Sequence, residues 1–213
     1  MKTDQLIDAL STNLEPVPSR RIERTLIWAV IVGGVAAFCV MLVTLALRAD
    51  GGSATHLAFL AVKVCFGLAV ISAGVAFLIT AMYPGREGRT SFALLFLPFV
   101  LIGLAALTTL LAGPSGAWAP IIRDTQWALC LLCIPLFAII PFAVLVWALR
   151  KGAPTNLTRT GAVAGFVAGA LGAVAYAFHC ADDSLPFIAV WYSGPIALCG
   201  MIGAKLGPRL LRW

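Results

Sequence analysis

Most of the reactive chemistry in this sequence lies in its six cysteines: Cys39, Cys65, Cys130, Cys133, Cys180 and Cys199. A thiolate is both a nucleophile and a soft-metal ligand, so the surroundings of each thiol decide its use. Cys39, Cys65 and Cys199 lie inside apolar runs and read as small hydrophobes. Cys130 and Cys133 form a CxxC spacing near one end of an apolar run, and Cys180 sits in His179-Cys180-Ala181-Asp182-Asp183 just past the end of another. A protonated His179 would lower the pKa of its neighbour, while Asp182 and Asp183 would oppose that. A CxxC is a strong redox signal in a soluble protein and a weak one inside an apolar helix. Cys130, Cys133, Cys180 and His179 would supply four metal ligands, but without the compact spacing of structural zinc sites. Lys63 is the one Lys or Arg more than a residue or two inside an apolar run, about two turns from its end. It reads equally as a functional intramembrane charge and as a snorkelling side chain. No GxGxxG, P-loop or HExxH is present, and nothing calls for a cofactor.

The elements that must position these groups are apolar helices. The chain has 213 residues, 61% hydrophobic and 11% charged, with a mean hydropathy of +0.99. A soluble domain cannot hide that much apolar surface, so the composition gives an integral membrane protein. Six runs are long enough to cross a bilayer: Leu26–Leu47, Leu57–Met82, Phe92–Leu111, Trp127–Leu149, Thr158–Phe178 and Phe187–Leu206. The fourth, Trp127–Leu149, contains no charge and is closed by Trp147 and the pair Arg150–Lys151, which anchor it at an interface. Of the 15 Lys and Arg, twelve flank one side of the six runs, whereas Arg48 and Arg123 flank the other. The positive side is cytoplasmic, so both termini are expected there and Cys130, Cys133 and Cys180 on the opposite side. A net charge of +6 is thus an orientation signal and not a nucleic-acid footprint. The expected class is an all-α, six-helix transmembrane bundle with a short amphipathic helix at its N-terminus.

Two other patterns matter. Residues 1–24 form a polar leader in which Leu6, Ile7, Leu10 and Leu14 recur at helical spacing. Thr3 is placed to cap the helix and Pro16 and Pro18 to end it. The stripe needs a partner, either the membrane surface or a groove on a soluble protein. Its polar face carries Asp4 and Asp8 where a membrane-bound helix would carry Lys or Arg. The expected division is a cytoplasmic arm, 1–24, and a six-helix sensor domain, 25–213. In the fifth run, Gly161, Gly165 and Gly169 recur every four residues, with Gly172 beyond. Such a stripe lets helices approach closely, within the chain or between copies in a homo-oligomer. Pro135, Pro141 and Pro195 are expected to bend their helices.

The opening MKTDQLIDALSTNLEPVP, the block CLLCIPLFAIIPF, the segment ALRKGAPTNL, the run ending YAFHCADDS, Trp191–Tyr192 and the closing GAKLGPRLLRW together resemble the NrsF-type membrane anti-sigma factors of proteobacteria. The resemblance covers nearly the whole chain. It implies a six-helix inner-membrane protein, not an enzyme, that sequesters an extracytoplasmic-function sigma factor. It also implies that two outward-facing cysteines are needed for the stress response. The cysteine of HCADDS is Cys180. The family pattern Cys-Leu-x-x-Ile-Pro places the other at Cys130, with Cys133 as the alternative.

The residues allow a direct expectation about that pair. The fourth run leads from outside to inside and the fifth returns after a short loop, so Cys130 and Cys180 come to the same depth. A disulfide needs Cα atoms within about 7 Å. Cys133 lies about 300° around the helix from Cys130, on much the same face and a turn deeper. The resulting reading is a transducer: thiols outside that respond to oxidative or heavy-metal stress, with His179 near them, and a docking arm inside through Leu6, Ile7, Leu10 and Leu14. A membrane thiol–disulfide or quinone oxidoreductase would use the same cysteines, and a small transporter would need more intramembrane polar residues than Lys63.

Overall fold

The computed structural model describes residues 19–47, 54–83, 92–113 and 127–212. Leu6, Ile7, Leu10, Leu14 and the expected N-terminal helix lie outside the described residues. The helices are α1 (Ser19–Thr44), α2 (Ala54–Ala81), α3 (Leu97–Ala112), α4 (Trp127–Leu149), α5 (Leu157–Ala177), α6 (Leu185–Trp191) and α7 (Ser193–Leu210), with a 3₁₀ turn at Phe92–Phe96 leading into α3. Counting α6 and α7 together, six segments are long and apolar enough to cross a membrane. Helices suit that setting because each satisfies its own backbone without water. The protein is a multi-pass, all-helical membrane protein.

The bundle is built around α5, which packs on α7, α4, α2 and α1. Within the bundle 94% of its span is buried, against 22–44% for the other five. Its residues explain this position. LTRTGAVAGFVAGALGAVAYA is short-sided along its length, so neighbouring helices come close from several directions. At Gly165 an added Cβ would lie 2.8 Å from the carbonyl carbon of Cys199 and 3.0 Å from Gly200 Cα. At Gly161 it would strike the backbone of Gly203 and Gly207, and at Gly172 the Ile134 carbonyl of α4 at 2.6 Å. The glycine stripe is therefore spent inside the chain, on α7 and α4. It offers no surface for the homo-oligomer contact through Gly161, Gly165 and Gly169, because α7 already fills it. Gly67 and Gly74 of α2 do the same work against Val174 and Val167 of α5.

Three boundaries have local causes. Asn156 caps α5, its side chain accepting from Arg159 N at 3.0 Å. Ser184 caps α6 by accepting from Phe187 N at 3.3 Å. The sixth run is two helices and not one: α6 ends at Trp191 and α7 begins at Ser193. Pro195 has no N–H for the carbonyl four residues earlier, and its ring crowds that carbonyl, so the break falls there. Pro135 and Pro141 by contrast lie inside the continuous α4.

Candidate functional site

The site lies where α4 starts and α5 ends. Cys180 follows α5 by three residues, and its N–H donates to the Tyr176 carbonyl at 3.1 Å, which continues the helix into a final turn. Cys130 stands one turn into α4. Both residues are buried, at 0% and 2% exposure. The Cys130 thiol hydrogen-bonds the sulfur of Cys180, so the antiparallel pairing of α4 and α5 does bring these two together. Cys133 is half-buried a turn deeper. Of the remaining three, Cys199 is buried in the α5–α7 seam beneath Gly169, while Cys39 and Cys65 are on the outer surface of the bundle.

His179 turns away from the thiol it precedes. Its Nδ1 meets the Ala46 carbonyl at 3.2 Å, beyond the end of α1, and its ring lies 5.9 Å from that of Tyr176. Phe178 packs edge-on against Phe38 of α1, centroids 5.3 Å apart. These two residues tie the Cys180 segment to α1. Among the described residues no three His, Cys, Asp or Glu side chains gather as metal ligands, so Cys130, Cys133, Cys180 and His179 do not make a four-ligand set here.

The charge beside the thiols comes from α2. Lys63 is 2% exposed. Its ammonium donates to the Cys180 carbonyl at 3.3 Å and to Asp183 Oδ1 at 3.4 Å, and lies 5.9 Å from the centre of the Tyr192 ring. The other oxygen of Asp183 pairs with His56 Nδ1, at the first turn of α2. Lys63 is thus no snorkelling side chain. It is held inside by a carboxylate and a carbonyl from the one segment that carries Cys180, which satisfies a buried cation.

These groups act on the Cys180 thiol together. The Cys130 hydrogen bond is the largest influence and favours the thiolate. Burial opposes it, while the Lys63 ammonium, the Tyr192 hydroxyl and the Asp182 N–H favour it again. The balance holds Cys180 well below the ordinary thiol range. The hydroxyls of Tyr176 and Tyr192 are both fully buried beside the two sulfurs, without a hydrogen bond of good geometry. Their rings are 6.3 Å apart. A lowered thiol pKa next to a second thiol is the arrangement in which one sulfur attacks an oxidant and the other closes a disulfide. Tyr176 and Tyr192 carried no sequence signal of this role, since they meet the cysteines only through the fold, and neither did the pairing of Asp183 with Lys63 and His56.

Comparison with known proteins agrees with this architecture. The family described as "Negative regulator of sigma F", NrsF, matches residues 10–213. The anti-sigma-F factor NrsF of Caulobacter vibrioides (strain NA1000 / CB15N) is 31% identical over 220 residues, covering all of both chains. The probable anti-sigma-F factor NrsF of Azospira oryzae is 32% identical over 215 residues, again covering both chains completely. No solved structure shows significant similarity. A match across nearly the whole chain, with two full-length relatives above 30% identity, places this protein in the NrsF family of negative regulators of sigma F.

Proposed function

We propose that this chain is an inner-membrane anti-sigma factor that holds an extracytoplasmic-function sigma factor at the cytoplasmic face and releases it when Cys130 and Cys180 are oxidised. The observation that carries the sensing half is the buried Cys130–Cys180 hydrogen bond beside the Lys63 ammonium. The Cys180 thiolate attacks a hydroperoxide, gaining one oxygen as a sulfenic acid and releasing hydroxide or alkoxide. The Cys130 thiol then displaces that oxygen as water, and the disulfide forms. Two electrons pass from the thiols to the peroxide. The thiolate charge beside Lys63 disappears in the process, which changes the electrostatics that hold the Cys180 segment to α2.

The docking half rests on the leader. Residues 1–24 serve as the arm, with Leu6, Ile7, Leu10 and Leu14 as its apolar face toward the sigma factor, and residues 25–213 as the sensor. Twelve basic residues on one side support cytoplasmic termini. A soft metal ion that accepts two thiolates, such as a cuprous or mercuric ion, would bridge the same pair and discharge the same thiolate beside Lys63.

Single Ser substitutions test this. Sigma-dependent transcription under peroxide should stay silent in Cys130→Ser and Cys180→Ser and respond nearly normally in Cys133→Ser. A normal response in Cys180→Ser removes the thiol sensor and leaves the anti-sigma role resting on the family and the leader.

A further inference from the structure

A second site lies at the opposite end of the bundle. A groove of about 480 Å³ runs between α4, α5 and α7. Its floor is made of short side chains, Gly165, Ala168 and Gly203. Its walls are apolar and outward-facing: Ile139 is 59% exposed, Trp147 57% and Ile202 44%. From Pro135 to Arg150 the α4 wall extends about 22 Å, more than the roughly 15 Å of one hydrocarbon leaflet. At one end the lining changes character. Arg150 closes the groove and uses Nε to donate to the Leu210 carbonyl at 2.6 Å, which clips the end of α4 to the end of α7. Four further N–H groups of that guanidinium remain to donate. Lys151 holds its ammonium 3.7 Å over the Trp147 ring, and Arg209 and Arg212 lie exposed at the end of α7.

We infer that this groove is a binding site for one anionic phospholipid, its acyl chain along α4 and its phosphate at the Arg150–Lys151 end. Charge selects the occupant. A second copy of the chain would bring its own basic residues to the same level, and like charges there repel. A zwitterionic lipid would fill the apolar part equally but gain little from four cations. A phosphate diester with net negative charge complements both halves, and basic pockets between transmembrane helices on the positive side favour such headgroups. The guanidinium suits a phosphate because its planar fork donates to two oxygens at once. An occupied groove also fills the seam between α4 and α7 over α5, and so stabilises the end of the bundle farthest from the thiols.

The test uses the full-length protein in mild detergent, incubated with vesicles of phosphatidylglycerol or of phosphatidylcholine and examined by native mass spectrometry. One phosphatidylglycerol should remain bound per chain, and phosphatidylcholine should be retained far less. Each basic residue removed should weaken phosphatidylglycerol about fivefold, the effect of one cation near a lipid surface. Lys151→Gln leaves the Arg150–Leu210 clip in place, so its loss reads the headgroup contact alone, and Arg150→Lys should keep most of the preference. Ala143→Trp fills the groove and should abolish retention of either lipid. Equal retention of the two lipids, or unchanged retention in both Lys151→Gln and Ala143→Trp, would overturn the assignment. So would a dimer that Ala143→Trp dissociates, because the groove would then belong to a second copy.

Discussion

Replacing Lys63 by Met keeps the length of the side chain and removes its charge. The ammonium is fully buried and lies 3.3 Å from the Cys180 carbonyl, so the sulfur of the same residue is a near neighbour. With a separation of about 5 Å and an effective dielectric near 20, a unit charge attracts the thiolate by about 3 kcal/mol. Asp183, at 3.4 Å from the same ammonium, cancels part of that field. About half should survive, or about one pKa unit. The sign follows from the charge: the ammonium favours the thiolate, so its loss moves the Cys180 titration upward, toward the ordinary thiol value. In the native protein the thiolate forms below that value and persists at every higher pH. The assay is the rate of iodoacetamide labelling of Cys180 across a pH series, read by mass spectrometry of its peptide. The inflection should shift upward by about one unit, so that labelling slows about tenfold near pH 5 and about twofold at pH 7. Lys63→Arg, which keeps the charge, should shift it far less. An unchanged inflection in Lys63→Met would show that the ammonium only ties down the loop and does not tune the thiol. The same substitution also removes two charge-assisted hydrogen bonds to the Cys180 segment, each worth about 1.5–3 kcal/mol before the saved desolvation of the ammonium is subtracted. A lower unfolding temperature is therefore expected with either outcome, and only the pH profile separates them.

Gly165→Leu would push a side chain into the α7 backbone at Cys199 and Gly200 and should destabilise the bundle by about 3 kcal/mol or more, seen as a lower thermal midpoint in detergent. Gly103→Ala, on an open face of α3 with no atom within 4 Å of the new methyl, should instead stabilise by about 0.5–1 kcal/mol in the same measurement. A reporter active only outside the cytoplasm should be silent when fused after Trp213 and active when inserted within 112–126, and activity after Trp213 would refute the proposed orientation. Leu10→Asp should leave membrane insertion intact and weaken retention of the sigma factor by tenfold or more, since one buried Leu is worth about 1.5–3 kcal/mol. Retention at the native level in co-purification would rule out the leader as the docking element.

The crossing helices were legible because their signal is additive. Twenty consecutive apolar residues between basic or aromatic flanks need no tertiary context, and α4 falls at Trp127–Leu149 as its composition requires. The break at Tyr192 was less legible. Pro195 was visible, but a proline inside a membrane helix either persists, as Pro135 and Pro141 do in α4, or divides it. Which outcome holds depends on what replaces the missing hydrogen bond. The glycine stripe announced close packing but not its partner, because a small face fits a neighbour within the chain and a second copy equally well. Only the position of α7 decides that, and it does so through contacts such as Gly165 with Cys199.

The thiol pair was legible for a different reason. A short connection between α4 and α5 fixes them as antiparallel neighbours, so residues near the start of one and the end of the other must share a depth. Depth brings Cys130 and Cys180 to one level, but it does not say which way each side chain points. Sequence left Cys133 as an alternative, and the side chain that meets Cys180 in the fold is that of Cys130. His179 shows the limit from the other side. Adjacency to Cys180 suggested influence on the thiol, yet the last turn of α5 carries its ring to Ala46, and the charge is delivered by Lys63 from a helix more than a hundred residues earlier. An intramembrane lysine is costly unless paired, so Lys63 itself was a signal. Its partner was not, because Asp183 drew notice only as a neighbour of Cys180 in sequence, and nothing there pairs it with a lysine 120 residues earlier. The placement of Lys63 beside Cys180 therefore depends on a contact between α2 and the segment after α5 that the packing of α2 on α5, through Gly67 and Gly74, makes available.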